Sequence, residues 1–149
     1  MSGLITLGPD VLAIHHLSLR GDPHWRDNEE ALAKLRGTPK ALSIYTLLDL
    51  VGMVSRHVGE RSGRDLYLSY LRSEEHTILF PPHHDSWEEH IDKVMRFLAR
   101  GLNYRDALEA MVIESTPEVE LYLSWKSILV GRVAVRVQTP ADYVSSARK

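Results

Sequence analysis

"KALSIYTLLDLVGMVSRHVG" occupies residues 40–59, and its reading decides the fold. The first residues alternate in bulk around Leu42 and Ile44, the period of a strand. From about Thr46 the apolar side chains fall at Leu47, Leu50, Val51 and Val54, the stripe of an amphipathic helix. Working outward, the same strand-then-helix order recurs. "LITL" (4–7) is a buried strand stopped by Gly8-Pro9, and "VLAIHHLSL" (11–19) carries a helical stripe with Asp10 as its expected N-cap. "GDPHW" (21–25) is a turn, and "DNEEALAKLRG" (27–37) is a helix with an acidic first turn and a glycine stop.

Beyond residue 59, "GERSGRD" (59–65) reads as a polar, glycine-rich loop, "LYLSYLRS" (66–73) as a short helix, and "HTILF" (76–80) as a strand ended by Pro81-Pro82. "SWEEHIDKVMRFLARG" (86–101) is the clearest helix, with Ser86 and Glu89 at capping-box spacing and Gly101 closing it. "YRDALEAMVIEST" (104–116) is a further helix. "VELYLSW" (119–125) and "RVAVRVQ" (132–138) are strands, and "PADYVS" (140–145) is a terminal turn or short helix. Strands separated by pairs of helices predict a three-layer α/β/α domain. Its central, mostly parallel sheet has about five strands, and residues 1–149 form one unit.

The bulk numbers agree with one soluble core: 149 residues, 44% hydrophobic and 26% charged. No apolar run is long enough to span a bilayer. The chain lacks a basic segment followed by a long apolar one, so no secretory signal is expected and the expected location is the cytoplasm. The absence of cysteine excludes disulfides and thiolate chemistry, leaving His and carboxylate as the strong metal ligands. A net charge of −2 gives no global attraction to nucleic acid, which would need a local basic patch.

In a parallel sheet, ligands gather beyond the carboxyl ends of the strands. Three acids are expected there: Asp10 after the first strand, Asp49 one turn into the helix after the second, and Asp106 at the start of the helix near Tyr104. Converging carboxylates raise one another's pKa and are stable together when a cation shares the site. Mg²⁺ or Mn²⁺ suits oxygen ligands and can activate water against a phosphodiester.

Four segments carry a likeness that sharpens this reading: "TLLDLVG" (46–52), "GLNYRDALEAMVIE" (101–114), "LYLSWKSI" (121–128) and "VQTPADYV" (137–144). Together they resemble the PIN-domain family, the small Mg²⁺-dependent ribonucleases that include the toxins of many toxin–antitoxin pairs. The resemblance covers nearly the whole chain. It implies a metal site of Asp49 and Asp106, lined by Thr46 and Ser124, and an RNA substrate or an antitoxin-like partner. The departures are specific. The family's first acid falls on Gly8, with Asp10 on the Asn or Ser position, and its fourth position falls on Lys126. Asp49 stands where Glu is usual.

Two accounts of the altered site follow. In one, Asp10 replaces the missing acid and reaches a metal with Asp49 and Asp106, giving an active Mg²⁺- or Mn²⁺-dependent ribonuclease. In the other, the Lys126 ammonium lies between Asp49 and Asp106 and makes an inert ion-pair cluster, giving an impaired relative that binds RNA or a protein partner. If only the ligands were lost, Gly8→Asp with Lys126→Asp is expected to restore cleavage.

Other features have bland and functional readings side by side. "RHVGERSGR" (56–64) brings Arg56, Arg61 and Arg64 together as a candidate phosphate track or an ordinary solvated loop, and Trp125 beside the site is either a packing anchor or a base-stacking platform. "HHDSWEEH" (83–90) lacks the i, i+4 histidine spacing of a helical zinc site. Of His15 and His16, one is expected at the core edge and the other in solvent. Surplus apolar residues over 40–73 point to a homodimer.

Overall fold

The computed structural model describes residues 3–147; residues 1, 2, 148 and 149, which the one-unit reading includes, lie outside the described residues. The first half runs β1 (Leu4–Leu7), α1 (Pro9–His16), α2 (Trp25–Lys34), β2 (Lys40–Ser43), α3 (Ile44–His57) and α4 (Glu60–Arg72). The second half runs β3 (His76–Leu79), α5 (Trp87–Leu98), α6 (Tyr104–Glu114), β4 (Val119–Leu123), β5 (Arg136–Gln138) and α7 (Pro140–Ala147). The strands form one sheet in the order β3-β2-β1-β4-β5, and every pairing is parallel.

Alternation along the strands fills both faces. Ala41, Leu79, Val119 and Tyr122 pack with Val94, Phe97 and the apolar residues of α6. Leu7, Leu42, Leu121 and Leu123 pack on the other side with Leu12, Leu47, Leu50 and Tyr70 of α1, α3 and α4. Burial on both faces is what a parallel sheet requires, because crossover helices cover each side. The result is the expected three-layer α/β/α arrangement. The chain passes from β1 outward through β2 to β3, then returns to the other side of β1 as β4. The strand order therefore reverses at β1, and the crevice above the ends of β1 and β4 is where an open α/β sheet offers a site.

Local chemistry departs from the sequence reading at three places. Gly8, not Asp10, is the N-cap of α1. Pro9 takes the first helical position, where its fixed φ fits and its missing N–H is no loss. The stretch 59–65 is not a loop: only Gly59, at φ 144°, breaks the chain, and α4 begins at Glu60. Gly63 lies inside that helix because α3 passes close by; a Cβ there would sit 2.0 Å from the Ser55 hydroxyl. A close-packing helical glycine thus imitates a turn signal. The last strand is only Arg136–Gln138, and the chain from Ser127 to Val135 is mostly turns. Among the described residues, no helix is long and apolar enough to cross a membrane.

Candidate functional site

Ser43 ends β2 and caps α3, its hydroxyl accepting from the Thr46 backbone N–H at 3.0 Å. Thr46 and Asp49 follow at three-residue spacing, so all three look the same way from the first two turns of α3. They face α6, where Arg105 and Glu109 are four residues apart on one side of the helix. β4 supplies Tyr122, whose side chain points to the same side as α6.

Glu109 is the centre of this arrangement and is only 2% exposed. Its carboxylate accepts from the Ser43 hydroxyl, from the Thr46 hydroxyl at 2.7 Å and from the Tyr122 hydroxyl at 2.7 Å. Arg105 Nη1 lies 3.6 Å away on the remaining side. The same guanidinium reaches Asp49: Nε donates to Oδ2 at 2.7 Å, and Nη2 lies 2.7 Å from that oxygen. Burial alone would lower the Arg105 pKa; the charges of Glu109 and Asp49 outweigh it and raise it. Burial, and then the charge of Glu109, pushes the Tyr122 hydroxyl well above its usual range, so it stays protonated and donates.

A second group adjoins the first through Tyr122. Asp10 accepts from the Ser124 hydroxyl at 3.1 Å and from the Trp125 backbone N–H at 2.5 Å. Gly8 fills the gap between the two groups: a Cβ there would lie 2.8 Å from the Tyr122 hydroxyl oxygen, 2.9 Å from an Asp10 oxygen and 3.1 Å from the Leu123 carbonyl.

The sequence-derived candidates are thus partly gathered. Asp10, Gly8 and Ser124 meet at the ends of β1 and β4, and Thr46 and Asp49 meet at the start of α3. Asp106 is half-buried one turn before Glu109, and its carboxylate makes no hydrogen bond or ion pair with a described residue. Lys126 does not lie between Asp49 and Asp106. It is exposed, its ammonium pairs with no described residue, and its backbone N–H donates to Ser124 at 3.1 Å. Arg105 holds the bridging position instead, between Asp49 and Glu109. The physical reason is placement: α6 carries Arg105 and Glu109 against Ser43, Thr46, Asp49 and Tyr122, whereas Lys126 is exposed just past the end of β4.

The remaining candidates sit apart. Trp125 stacks on His24, with ring centroids 3.9 Å apart, and its indole N–H donates to Asn28 at 2.7 Å. Arg56, Arg61 and Arg64 are exposed around the α3–α4 junction, interleaved with Glu60 and Asp65, and Arg64 pairs with Glu60 at 3.5 Å. His16 bonds to the Tyr70 hydroxyl at 2.6 Å while His15 pairs with Glu29 at the surface. His90 is buried against Tyr104, at 2.8 Å, and His84.

Sequence reasoning missed Glu109, Arg105 and Tyr122. Glu109 had a signal: it is a single acid inside "ALEAMVI" (107–113), where every neighbour is a core residue. A buried acid demands partners, and Arg105 stands at the four-residue spacing that supplies one.

A Mg²⁺ or Mn²⁺ ion needs several carboxylate oxygens free to face it together with waters. Here the oxygens of Asp10 and Glu109 already accept hydrogen bonds, and a guanidinium lies against both Asp49 and Glu109. Among the described residues, no three His, Cys, Asp or Glu side chains are grouped so as to hold an ion. As placed, these residues do not fit such a metal; Arg105 and the hydroxyl donors occupy the carboxylate oxygens it would need.

No protein-family model matches the sequence, and no curated protein matches it. Solved structures do match. One is VapC20 from Mycobacterium tuberculosis, a toxin that cleaves the sarcin–ricin loop, at a TM-score of 0.62 and 13% identity over 83% of this chain and 90% of that one. Another is VapBC2 from Rickettsia felis bound to a DNA fragment from its promoter, at a TM-score of 0.57 and 14% identity over 91% of this chain and 98% of that one. Identities this low speak to architecture alone: the chain has a PIN-like fold, the three-layer α/β/α arrangement shared with these VapC structures.

Proposed function

We propose that this PIN-like domain is a binding module that does not cleave RNA, and that its partner is a protein of the antitoxin kind. The observation that carries the first half is Arg105, whose guanidinium spans Asp49 and Glu109 at 2.7 and 3.6 Å. A divalent ion entering there would meet a fixed positive charge and, at Glu109, a carboxylate already accepting from three hydroxyls. The second half is supported by the VapBC pair among the fold neighbours and by the family resemblance in the sequence.

The test is a thermal melt of the purified chain across a Mg²⁺ and then a Mn²⁺ titration, beside an RNA-cleavage assay with the same ions. A ligand that binds only the folded state raises the melting temperature by mass action. The expected result is no rise and no cleavage. A clear rise in Mn²⁺, with cleavage that Asp106→Asn abolishes, would establish the active metal-dependent ribonuclease and end this reading.

A further inference from the structure

The loop from β3 into α5 is pinned where it meets the helix. Ser86 caps α5 by accepting from the Glu89 N–H at 3.2 Å, and the Glu89 carboxylate reaches back to accept from the Asp85 N–H at 2.8 Å. His84, next in the loop, is thereby held at the first turn of α5. Its ring lies against that of His90, with centroids 4.6 Å apart and planes tilted by 40°. His90 is only 5% exposed. Its Nε2 is bonded to the Tyr104 hydroxyl at 2.8 Å, and the Trp87 ring stands edge-on to it with centroids 5.4 Å apart.

The Nδ1 atom of each ring is left over. Both are buried and neither has a hydrogen-bond partner; among the described residues they are the only histidine nitrogens of which this is true. A buried nitrogen left unpaired is costly, and two in one ring contact call for a ligand that both can bind. The adjacent His15 and His16, by contrast, have nitrogens engaged by Glu29 and Tyr70.

The tautomer and the ring spacing say what that ligand is. In the tautomer whose Nε2–H donates to Tyr104, the His90 Nδ1 carries a lone pair, the arrangement by which an outer oxygen orients a metal-binding imidazole. With a metal about 2 Å from each nitrogen and each ring centre about 1 Å behind it, two imidazoles at a right angle have centres about 4.5 Å apart, against about 5 Å at the tetrahedral angle of zinc. The observed 4.6 Å matches adjacent corners of a square, the geometry of Cu²⁺ and Ni²⁺. We propose that His84 and His90 form a two-imidazole site for Cu²⁺, the tightest binder of the divalent series at nitrogen ligands, with water at the remaining corners. Asp85, Glu88, Glu89 and Asp92 accompany it in sequence against Lys93 alone, a local charge that favours a dication. Lys93 itself is held by Glu89 and by the His83 carbonyl. This goes beyond the binding-module reading, uses none of the residues around Glu109, and does not depend on that reading.

Titration of the full chain with copper sulfate against glycine as competing chelator tests this, with circular dichroism confirming that each variant is folded. One equivalent is expected to quench the fluorescence of Trp87, a quench that Trp87→Phe removes, and electron spin-echo modulation is expected to report two coordinated imidazoles. His90→Gln and His84→Gln are each expected to weaken binding at least tenfold; the second lies in the loop and keeps the test open if the buried variant fails to fold. Tyr104→Phe, which removes only the oxygen that orients His90, is expected to weaken binding about tenfold. His83→Gln and His16→Gln are expected to leave it unchanged. Equal affinity in the wild type and His84→Gln would mean that water satisfies the two nitrogens, and would overturn the proposal. So would a spectrum with fewer than two imidazoles, or binding that His83→Gln abolishes.

Discussion

Replacing Arg105 by methionine removes one charge and keeps most of the apolar stem, and the structure sets the cost. Asp49 is 40% exposed and can be rehydrated, so its half of the ion pair contributes about 0–1 kcal/mol. Glu109 cannot be rehydrated. Coulomb's law at 3.6 Å and an effective dielectric of about 20 gives roughly 4–5 kcal/mol for its half. The Arg105 side chain is 32% exposed and solvent-screened, and the three hydroxyl donors remain, which brings the expected loss to about 2–3 kcal/mol. Urea unfolding followed by tryptophan fluorescence reads this as a lower midpoint at unchanged slope. The sharper measurement is a double-mutant cycle with Glu109→Gln. If Arg105 acts by neutralising a buried carboxylate, the Arg105→Met, Glu109→Gln double variant recovers much of the loss, with a coupling of about 2 kcal/mol. Additive losses, with coupling below about 0.5 kcal/mol, would refute the claim that these two charges sustain each other.

Gly8→Ala is expected to cost about 1–3 kcal/mol by overpacking, and less than the sum of the separate losses when combined with Tyr122→Phe, which removes the oxygen that the new Cβ would meet first; thermal melts of the three variants check this. For the same reason Gly8→Asp with Lys126→Asp is expected to yield a destabilised chain without cleavage, since Tyr122 and Asp10 occupy the space the new carboxylate needs. Burial first, and then the neighbouring His15 and His76, lowers the His16 pKa from 6.5 to about 4 against the opposing charge of Glu29. Its neutral form is thus favoured on folding, and its contribution is fully present above about pH 6.5. The contribution is lost as pH falls toward 4, by about 2–3 kcal/mol, and His16→Gln is expected to flatten that part of the stability–pH curve measured by urea titration. Ser86→Ala removes the hydroxyl that caps α5 at Glu89 and is expected to cost about 1 kcal/mol in the same unfolding assay, with the helix shortened at its start.

The alternation of strand and helical periods made the layers legible, because parallel strands buried on both faces leave short, largely apolar runs bounded by turn residues, such as "LITL" (4–7). Capping was equally plain at Ser86, where a hydroxyl precedes an acidic turn. What the sequence concealed was of two kinds. Gly63 is a contact glycine between two helices, and without knowing that α3 lies 2.0 Å from its missing Cβ, the residue can only be read as punctuation. The site was concealed for a different reason. Asp10, Asp49 and Asp106 stand out by their place after strands, but which acid is buried depends on which face α6 turns to the sheet. The helix turns Glu109 inward and leaves Asp106 at the rim. The bridging cation is likewise expected after β4, at Lys126, whereas the residue that bridges is Arg105, on the helix itself.

The knot at Glu109 joins residues 66, 63 and 13 positions apart along the chain, and Asp49 to Arg105 spans 56 more. Apart from the bond to Tyr122, none can form until the start of α3 and α6 have been brought side by side, after a long loop has been closed. Such long-range fastenings belong to the last stage of assembly, on the native side of the kinetic barrier. Loosening them is expected to hasten unfolding while leaving the rate of folding nearly unchanged, so this buried network would set how long the folded molecule survives between openings.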